Sequence, residues 1–198
     1  MTYDGLILYG PPASGKDAVS AALIASDPRY VLFERLKAGS GRTHGYRSIT
    51  HSRLHALDVA GLLLYVNNRY GNTYAIDRPG LDHIMTSSQV PIVHLGQVAD
   101  LKALTGYPAK WLTVLLWCAR GTSAERLHDR GDTDVEARMT AWDDTCRDVL
   151  TAPPAAFALA LRTDHMTPHE AAHRIDAAMH DPDNALAWPD LADIVTRP

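Results

Sequence analysis

The chain has 198 residues, 46% of them hydrophobic and 21% charged, with a formal net charge of −4. That length buries a sizeable core as a single domain, and the composition excludes a disordered or fibrous chain. The acidic balance argues against a dedicated nucleic-acid binder, which carries a basic excess or stripe, although it leaves room for a local basic cleft.

The opening MTYDGLILYG contains an acid and only a short apolar run. It is expected to be neither a signal peptide nor a membrane span, so a cytoplasmic protein without a membrane partner is predicted. Residues 6–9, LILY, read as a buried parallel strand, and 16–26 as an Ala-rich helix. Residues 30–33 form a second apolar run, after which KAGSGRTHGYR reads as loop and hairpin. Residues 54–60 predict a short helix, and 62–66 and 73–76 predict strands around the polar turn NNRYGN.

A short helix within 79–86, a buried strand at 91–95 and a helix at 98–104 follow. WLTVLLW, at 111–117, is the strongest strand pattern in the chain. Ser123 is expected to cap a helix running through Arg130, and Asp134 to open another reaching about Leu150, with RGDTD as the polar break between them. Residues 157–161 are the last strand expected. Thr167 then caps a helix with Pro168 at its first position, and the tail 181–198 holds a further short helix. Strands alternating with helices predict a three-layer α/β fold with a parallel sheet.

Cys118 and Cys146 lack metal-type spacing and are read as structural thiols. His165, His169 and His173 recur at helical spacing, but no further ligand can be placed beside them, which favours a solvated or capping role over a metal site.

The motif that carries chemistry is GPPASGKD, from Gly10 through Pro11, Pro12, Ala13, Ser14, Gly15 and Lys16 to Asp17. Its glycine spacing between strand and helix matches a Walker A loop, in which backbone N–H groups surround phosphate oxygens and the lysine reaches the β and γ phosphates of ATP. Asp17 stands where Ser or Thr is usual. Either its carboxylate ligates Mg²⁺, directly or through water, or it is an acid favoured by the helix dipole.

Phosphoryl transfer between two phosphorylated molecules brings anions together and calls for arginines around both. One cluster is Arg35, Arg42, Tyr46 and Arg47, with Tyr70 and Asn72 in the following turn. The other is Arg126, Arg130 and Arg138 around the RGDTD break. The latter three read either as a lid closing over the transferred phosphate or as a solvated helical face paired with Glu125, Asp129 and Glu136.

In these stretches the sequence resembles the guanylate kinase family of mononucleotide kinases, whose phosphate loop, arginine- and tyrosine-rich acceptor segment, YYGS-like turn and RLxxRG lid occur in the same order. The matching segments are GPPASGKD, ERLKAGSGRTHGYR, RYGNT and RLHDRGDTDVEAR. The resemblance implies a single P-loop kinase domain. Its core would occupy about 5–34 and 90–180, an acceptor-binding insertion 35–88, and a small lid 126–138. It further implies that Arg35, Arg42, Tyr46 and Tyr70 hold an acceptor phosphate and that the lid arginines stabilise the moving phosphoryl group.

The family reads guanine with acids. The corresponding stretches here, GLLLYVNN and VPIVHLGQ, contain none, and each unpaired base group would cost about 1 to 3 kcal/mol. Asn67, Asn68, Asn72, His94 and Gln97 are the polar residues available in their place. The chain is also similar to the ribose 1,5-bisphosphate phosphokinases, whose loop carries GKD, as Lys16-Asp17 does.

The expected activity is therefore transfer of the γ-phosphoryl group of ATP, with Mg²⁺, to the phosphate of a GMP-like or modified nucleoside monophosphate. The alternative acceptor is a pentose phosphate. A non-catalytic binding module and a hydroxyl-directed kinase are the rival readings. The expected partner is a small phosphorylated molecule, with the protein a monomer or homodimer.

Overall fold

Side chains alternate across the central strands, and both faces of those strands are buried. Ile7 and Tyr9 enter one apolar cluster, while Leu6 and Leu8 enter another on the opposite face. Residues at successive positions of a strand point to opposite faces, so a run that is apolar throughout requires cover on both sides. The structure, a computed structural model, describes residues 2–41, 43, 45–69, 71–181 and 191–196.

The chain runs β1 (Gly5–Tyr9), α1 (Lys16–Ser26), β2 (Tyr30–Leu32), β3 (Arg35–Ala38), β4 (Tyr46–Ser48), α2 (His51–Val59), β5 (Leu63–Arg69) and β6 (Asn72–Asp77). It continues with α3 (Arg78–Thr86), β7 (Val90–Leu95), α4 (Val98–Thr105), β8 (Trp111–Trp117), α5 (Arg120–Asp129), α6 (Val135–Thr151), β9 (Leu159–Arg162), α7 (Pro168–His180) and α8 (Leu191–Thr196).

The main sheet has the order β2-β7-β1-β8-β9, and every pairing within it is parallel. Helices α1 and α7 cover one face through Val19, Leu23, Ala171, Ile175 and Met179. On the other face lie Leu81, Leu104, Leu127, Trp142 and Val149, from α3, α4, α5 and α6. This is the three-layer α/β architecture expected from the alternation of strands and helices.

A second sheet, ordered β4-β3-β6-β5, carries the insertion between β2 and β7. It has its own small core of Leu36, Ala38, Leu54 and Ala75. Helix α2 begins at His51 because Thr50 Oγ1 accepts from the Arg53 N–H at 3.2 Å. The β5–β6 ladder extends through Asn67, Asn68 and Arg69, further along the NNRYGN segment than expected.

Three expectations are corrected. The segment after β3 is not a hairpin: β3 and β4 pair in parallel, Arg35 with Tyr46 and Lys37 with Ser48. A parallel neighbour cannot be reached through a tight turn, so the chain must travel back to the start of β3. Helix α5 starts at Arg120, and Ser123 lies inside it, its hydroxyl donating to the Pro12 carbonyl at 2.8 Å instead of capping. The last strand begins at Leu159, after a short 3₁₀ turn at Pro154–Ala156 that buries Phe157.

Helix α7 starts as predicted. Thr167 Oγ1 accepts from the Glu170 N–H, and Glu170 returns a bond to the Thr167 N–H. Both cysteines are free thiols. Among the described residues no helix is long and apolar enough to cross a membrane.

Leu116 lies fully buried on β8 between β1 and β9. Leu116→Ala is expected to lower stability by about 2 to 5 kcal/mol in urea unfolding, since a cavity in the middle of the sheet cannot collapse.

Candidate phosphate-binding cleft

In the segment between β1 and α1, side chains hold the successive carbonyls from Gly10 to Ser14. Lys16 Nζ donates to the Gly10 and Pro11 carbonyls at 2.6 and 2.9 Å. Ser123 of α5 takes the Pro12 carbonyl, Arg126 Nη1 the Ala13 carbonyl at 3.0 Å, and Thr163 Oγ1 the Ser14 carbonyl at 3.0 Å. No cis peptide occurs among the described residues, so an N–H points opposite to the carbonyl before it, but Pro11 and Pro12 carry none. The Ser14 N–H donates to the Pro11 carbonyl at 3.3 Å, and the Ala13 and Gly15 N–H groups lie opposite the carbonyls taken by Ser123 and Thr163, at the N-terminus of α1.

Two glycines make the turn possible. A Cβ on Gly10 would stand 2.1 Å from the Leu116 carbonyl oxygen, and Gly15 adopts φ 89° at the N-cap of α1. Ala13 adopts φ 56°, a conformation costly for a residue with a Cβ. The bond from Arg126 to its carbonyl helps to hold it there.

A cavity of about 440 Å³ opens over the loop; Lys16, Asp17, Arg35, Tyr46, Arg130 and Arg138 are among the residues lining it. Arg138 is held by Asp134 at 2.7 Å and lies 3.7 Å from Asp132. It is thus engaged by acids of the RGDTD break itself. Half-exposed pairs of this kind are worth about 0 to 1 kcal/mol, so an incoming anion can compete for the arginine. Arg130, the C-cap residue of α5, is exposed and has no ion-pair partner among the described residues.

Arg126 departs from the expectation that it joins the other two. Its guanidinium is directed at the Ala13 and Thr163 carbonyls, at 3.0 and 2.8 Å, and so supports the loop from behind. It also lines a separate cavity of about 260 Å³ with Gly15, Val19, Thr163 and Pro168.

The insertion contributes the opposite wall. Arg35 stacks over the rings of Tyr46 and Tyr74 at 5.7 and 5.5 Å, and those rings lie 5.2 Å apart. Lys37, two residues further along β3, lies 5.8 and 5.9 Å from the same rings, with its ammonium donating to the Ser40 carbonyl. These are cation–π contacts that orient the two cations.

Arg47 is placed differently from the expectation: it pairs through both terminal nitrogens with the buried Asp77 and donates to the Glu34 carbonyl at 2.9 Å. Asp77 also caps α3 through the Gly80 N–H, so this arginine braces the insertion. Asn72 packs against Gly39 at the start of the loop after β3. Neither residue lines the cavities described above. Arg42 and Tyr70 lie outside the described residues.

An adjoining cavity of about 200 Å³ shares Lys16, Arg35, Tyr46, His94 and Arg138 with the first, and it is also lined by the buried Asp100. Tyr65 hydrogen-bonds to Asp100, and burial followed by that carboxylate pushes the phenol's pKa up. Asn67 lines the same cavity and donates to Gln97 at 3.1 Å. An acid of α4, a short way beyond VPIVHLGQ along the chain, thus lines this cavity. Its burial against β5 is a tertiary relation that no local pattern announces.

His94, at the end of β7, faces α1. Its Nε2 lies 2.7 Å from Ser20 Oγ, and its Nδ1 lies 3.6 Å from Asp17 Oδ1. Burial, reinforced by the Lys16 charge, drops its pKa to about 3 despite the opposing pull of Asp17. The imidazole is neutral at neutral pH.

No protein-family model matches the chain, and no curated protein matches it. Among solved structures, the chain is similar to the guanylate kinase from Anaplasma phagocytophilum, with a TM-score of 0.64 and 14% identity over 89% of this chain and 84% of that one. It is also similar to the shikimate kinase from Acinetobacter baumannii in complex with shikimate, with a TM-score of 0.50 and 15% identity over 90% of this chain and 94% of that one. The fold is that of the guanylate-kinase-like P-loop kinases.

Two outcomes follow from the supports of the loop. Arg126→Ala strands the Ala13 and Thr163 carbonyls and is expected to cost about 1.5 to 3 kcal/mol, read by urea unfolding. The second concerns Asp164, which pairs with Arg162 and accepts from the Ala119 N–H at the start of α5. Burial opposes its ionisation, but these partners outweigh it and hold the carboxyl at about 2, below the usual 3.8. A depressed folded-state pKa stabilises above the unfolded value and is lost as pH falls through the folded one. The stability difference between wild type and Asp164→Asn should stay level above about pH 5 and shrink toward pH 2; a difference unchanged at pH 2 would contradict this assignment.

Proposed function

We propose that the chain is an ATP-dependent phosphotransferase that adds the γ-phosphoryl group to the phosphate of a nucleoside monophosphate, GMP-like or modified. The observation that carries this reading is the convergence of Lys16, Arg35, Arg130, Arg138 and Tyr46 on one cleft above the glycine-bounded loop at the N-terminus of α1. Such an arrangement suits two anionic phosphates brought into line, where positioning and fixed positive charge supply most of the rate.

In this reading Lys16 leaves the Gly10 and Pro11 carbonyls for the β and γ phosphates of the donor. The adenine lies in the cavity between Gly15 and Pro168, beside Arg126. Arg130 and Arg138 neutralise charge on the group in transfer. Arg35, oriented by Tyr46 and Tyr74, holds the acceptor phosphate, which is anionic near neutral pH and needs no general base. Mg²⁺, when bound, would draw the donor phosphate oxygens together, and Asp17 is the residue positioned to hold it.

Asp100, Tyr65 and Asn67 offer hydrogen bonds to the rest of the acceptor. A second reading, a pentose phosphate acceptor, is favoured by the modest size of the cavity that Asp100 lines.

A ³¹P NMR screen of ATP with nucleoside monophosphates and pentose bisphosphates should show a new phosphoanhydride with one of them. Lys16→Ala should reduce turnover by about 100-fold or more. Arg35→Ala should raise the acceptor KM well above any change in the KM for ATP. Equal effects on both substrates would remove Arg35 from the acceptor site.

A further inference from the structure

Asp17 and His94 present two unlike donors to one point of the cleft. Nδ1 of His94 lies 3.6 Å from Asp17 Oδ1, too far for a hydrogen bond. Two neighbouring ligands about 2.1 Å from an octahedral ion stand about 3 Å apart, so a side-chain shift of about 0.6 Å lets both groups reach a common ion. The other ring nitrogen is fixed by Ser20 Oγ at 2.7 Å, and Ser20 is itself buried on α1. A ring held through its second nitrogen by a buried partner is the usual way a metal-binding histidine is aimed. All three residues line the cavity that Lys16 enters. Asp17 occupies the position after the loop lysine, where a side chain oxygen ordinarily reaches the donor's cation.

We propose that Nδ1 of His94 and the Asp17 carboxylate together ligate the divalent cation of the donor nucleotide, and that the site thereby prefers a first-row transition ion such as Mn²⁺ over Mg²⁺. Mg²⁺ favours oxygen ligands, whereas an imidazole nitrogen adds affinity for transition ions. Lys16 and Arg35 also act on His94 with positive charge, so the ion is held only when nucleotide phosphates complete its surroundings. The proposal rests on the donor half of the phosphotransferase reading.

The test uses the full chain with Mn²⁺ and the non-hydrolysable β,γ-methylene analogue of ATP. Electron spin-echo spectroscopy of the wild-type complex should show nitrogen-14 modulation from a directly bound imidazole. His94→Gln, which retains a hydrogen-bonding group for Ser20, should abolish that modulation. Asp17→Ser should retain the modulation while weakening Mn²⁺ about 10-fold or more, and the preference for Mn²⁺ over Mg²⁺ should narrow in both variants.

If the analogue binds with Mn²⁺ in a Lys16-dependent manner but the wild type shows no nitrogen modulation, the ligand assignment is overturned and the phosphotransferase reading stands. If the analogue does not bind with either metal, both fall. Because the wild-type spectrum decides by itself, a variant that fails to fold does not protect the idea.

Discussion

The structure turns on five consecutive carbonyls, Gly10 to Ser14, each of which is claimed by a side chain. Backbone acceptors would otherwise be free to turn inward, where they would repel an anion. Holding the Pro12 and Ser14 carbonyls from α5 and from Thr163 leaves the Ala13 and Gly15 N–H groups on the far side of those peptides, while Pro11 and Pro12 have no N–H to offer. Three of the supporting residues come from far along the chain, Ser123 and Arg126 on α5 and Thr163 just after β9. The loop therefore acquires its shape only when the last strand of the main sheet is in place.

This explains a division of labour among the arginines. Arg126, Arg47 and Arg162 are directed at carbonyls or buried carboxylates, where a planar fork of donors satisfies acceptors that water cannot reach. Arg35, Arg130 and Arg138 face the cleft: aromatic faces hold Arg35, half-exposed acids that exchange at little cost hold Arg138, and Arg130 has no ion-pair partner among the described residues. The same residue type thus performs rigid support and adjustable charge within a few ångströms.

Much of the scaffold is legible in the sequence because its strands are buried on both faces. LILY and WLTVLLW are uninterrupted apolar runs, and the capping box at Thr167 and the glycine spacing of the loop are local signals. The site is legible only in part. Arg126 and Arg130 sit one helical turn apart, and their separation in sequence does not tell which one meets a carbonyl and which one faces the cleft. The parallel return of β4 depends on where a loop closes, not on the strand residues themselves. No local pattern marks Asp100, Tyr74 and Lys37, because their contacts are with partners brought from other elements. His94 stood out only as one polar residue among several, and its relation to Asp17 and Ser20 exists solely across the β7–α1 interface.

The separate apolar cluster beneath the second sheet has a consequence for how such a chain can change over generations. Leu36, Ala38, Leu54 and Ala75 pack among themselves and not with the two large clusters flanking the main sheet. Substitutions at these four positions are absorbed within the second sheet, whereas Ile76 of β6 and Leu81 and Ile84 of α3 belong to a main-sheet cluster and transmit changes to it. The insertion is thus modular at its own core and anchored to the main sheet along one edge, so descent can reshape the former more freely than the latter.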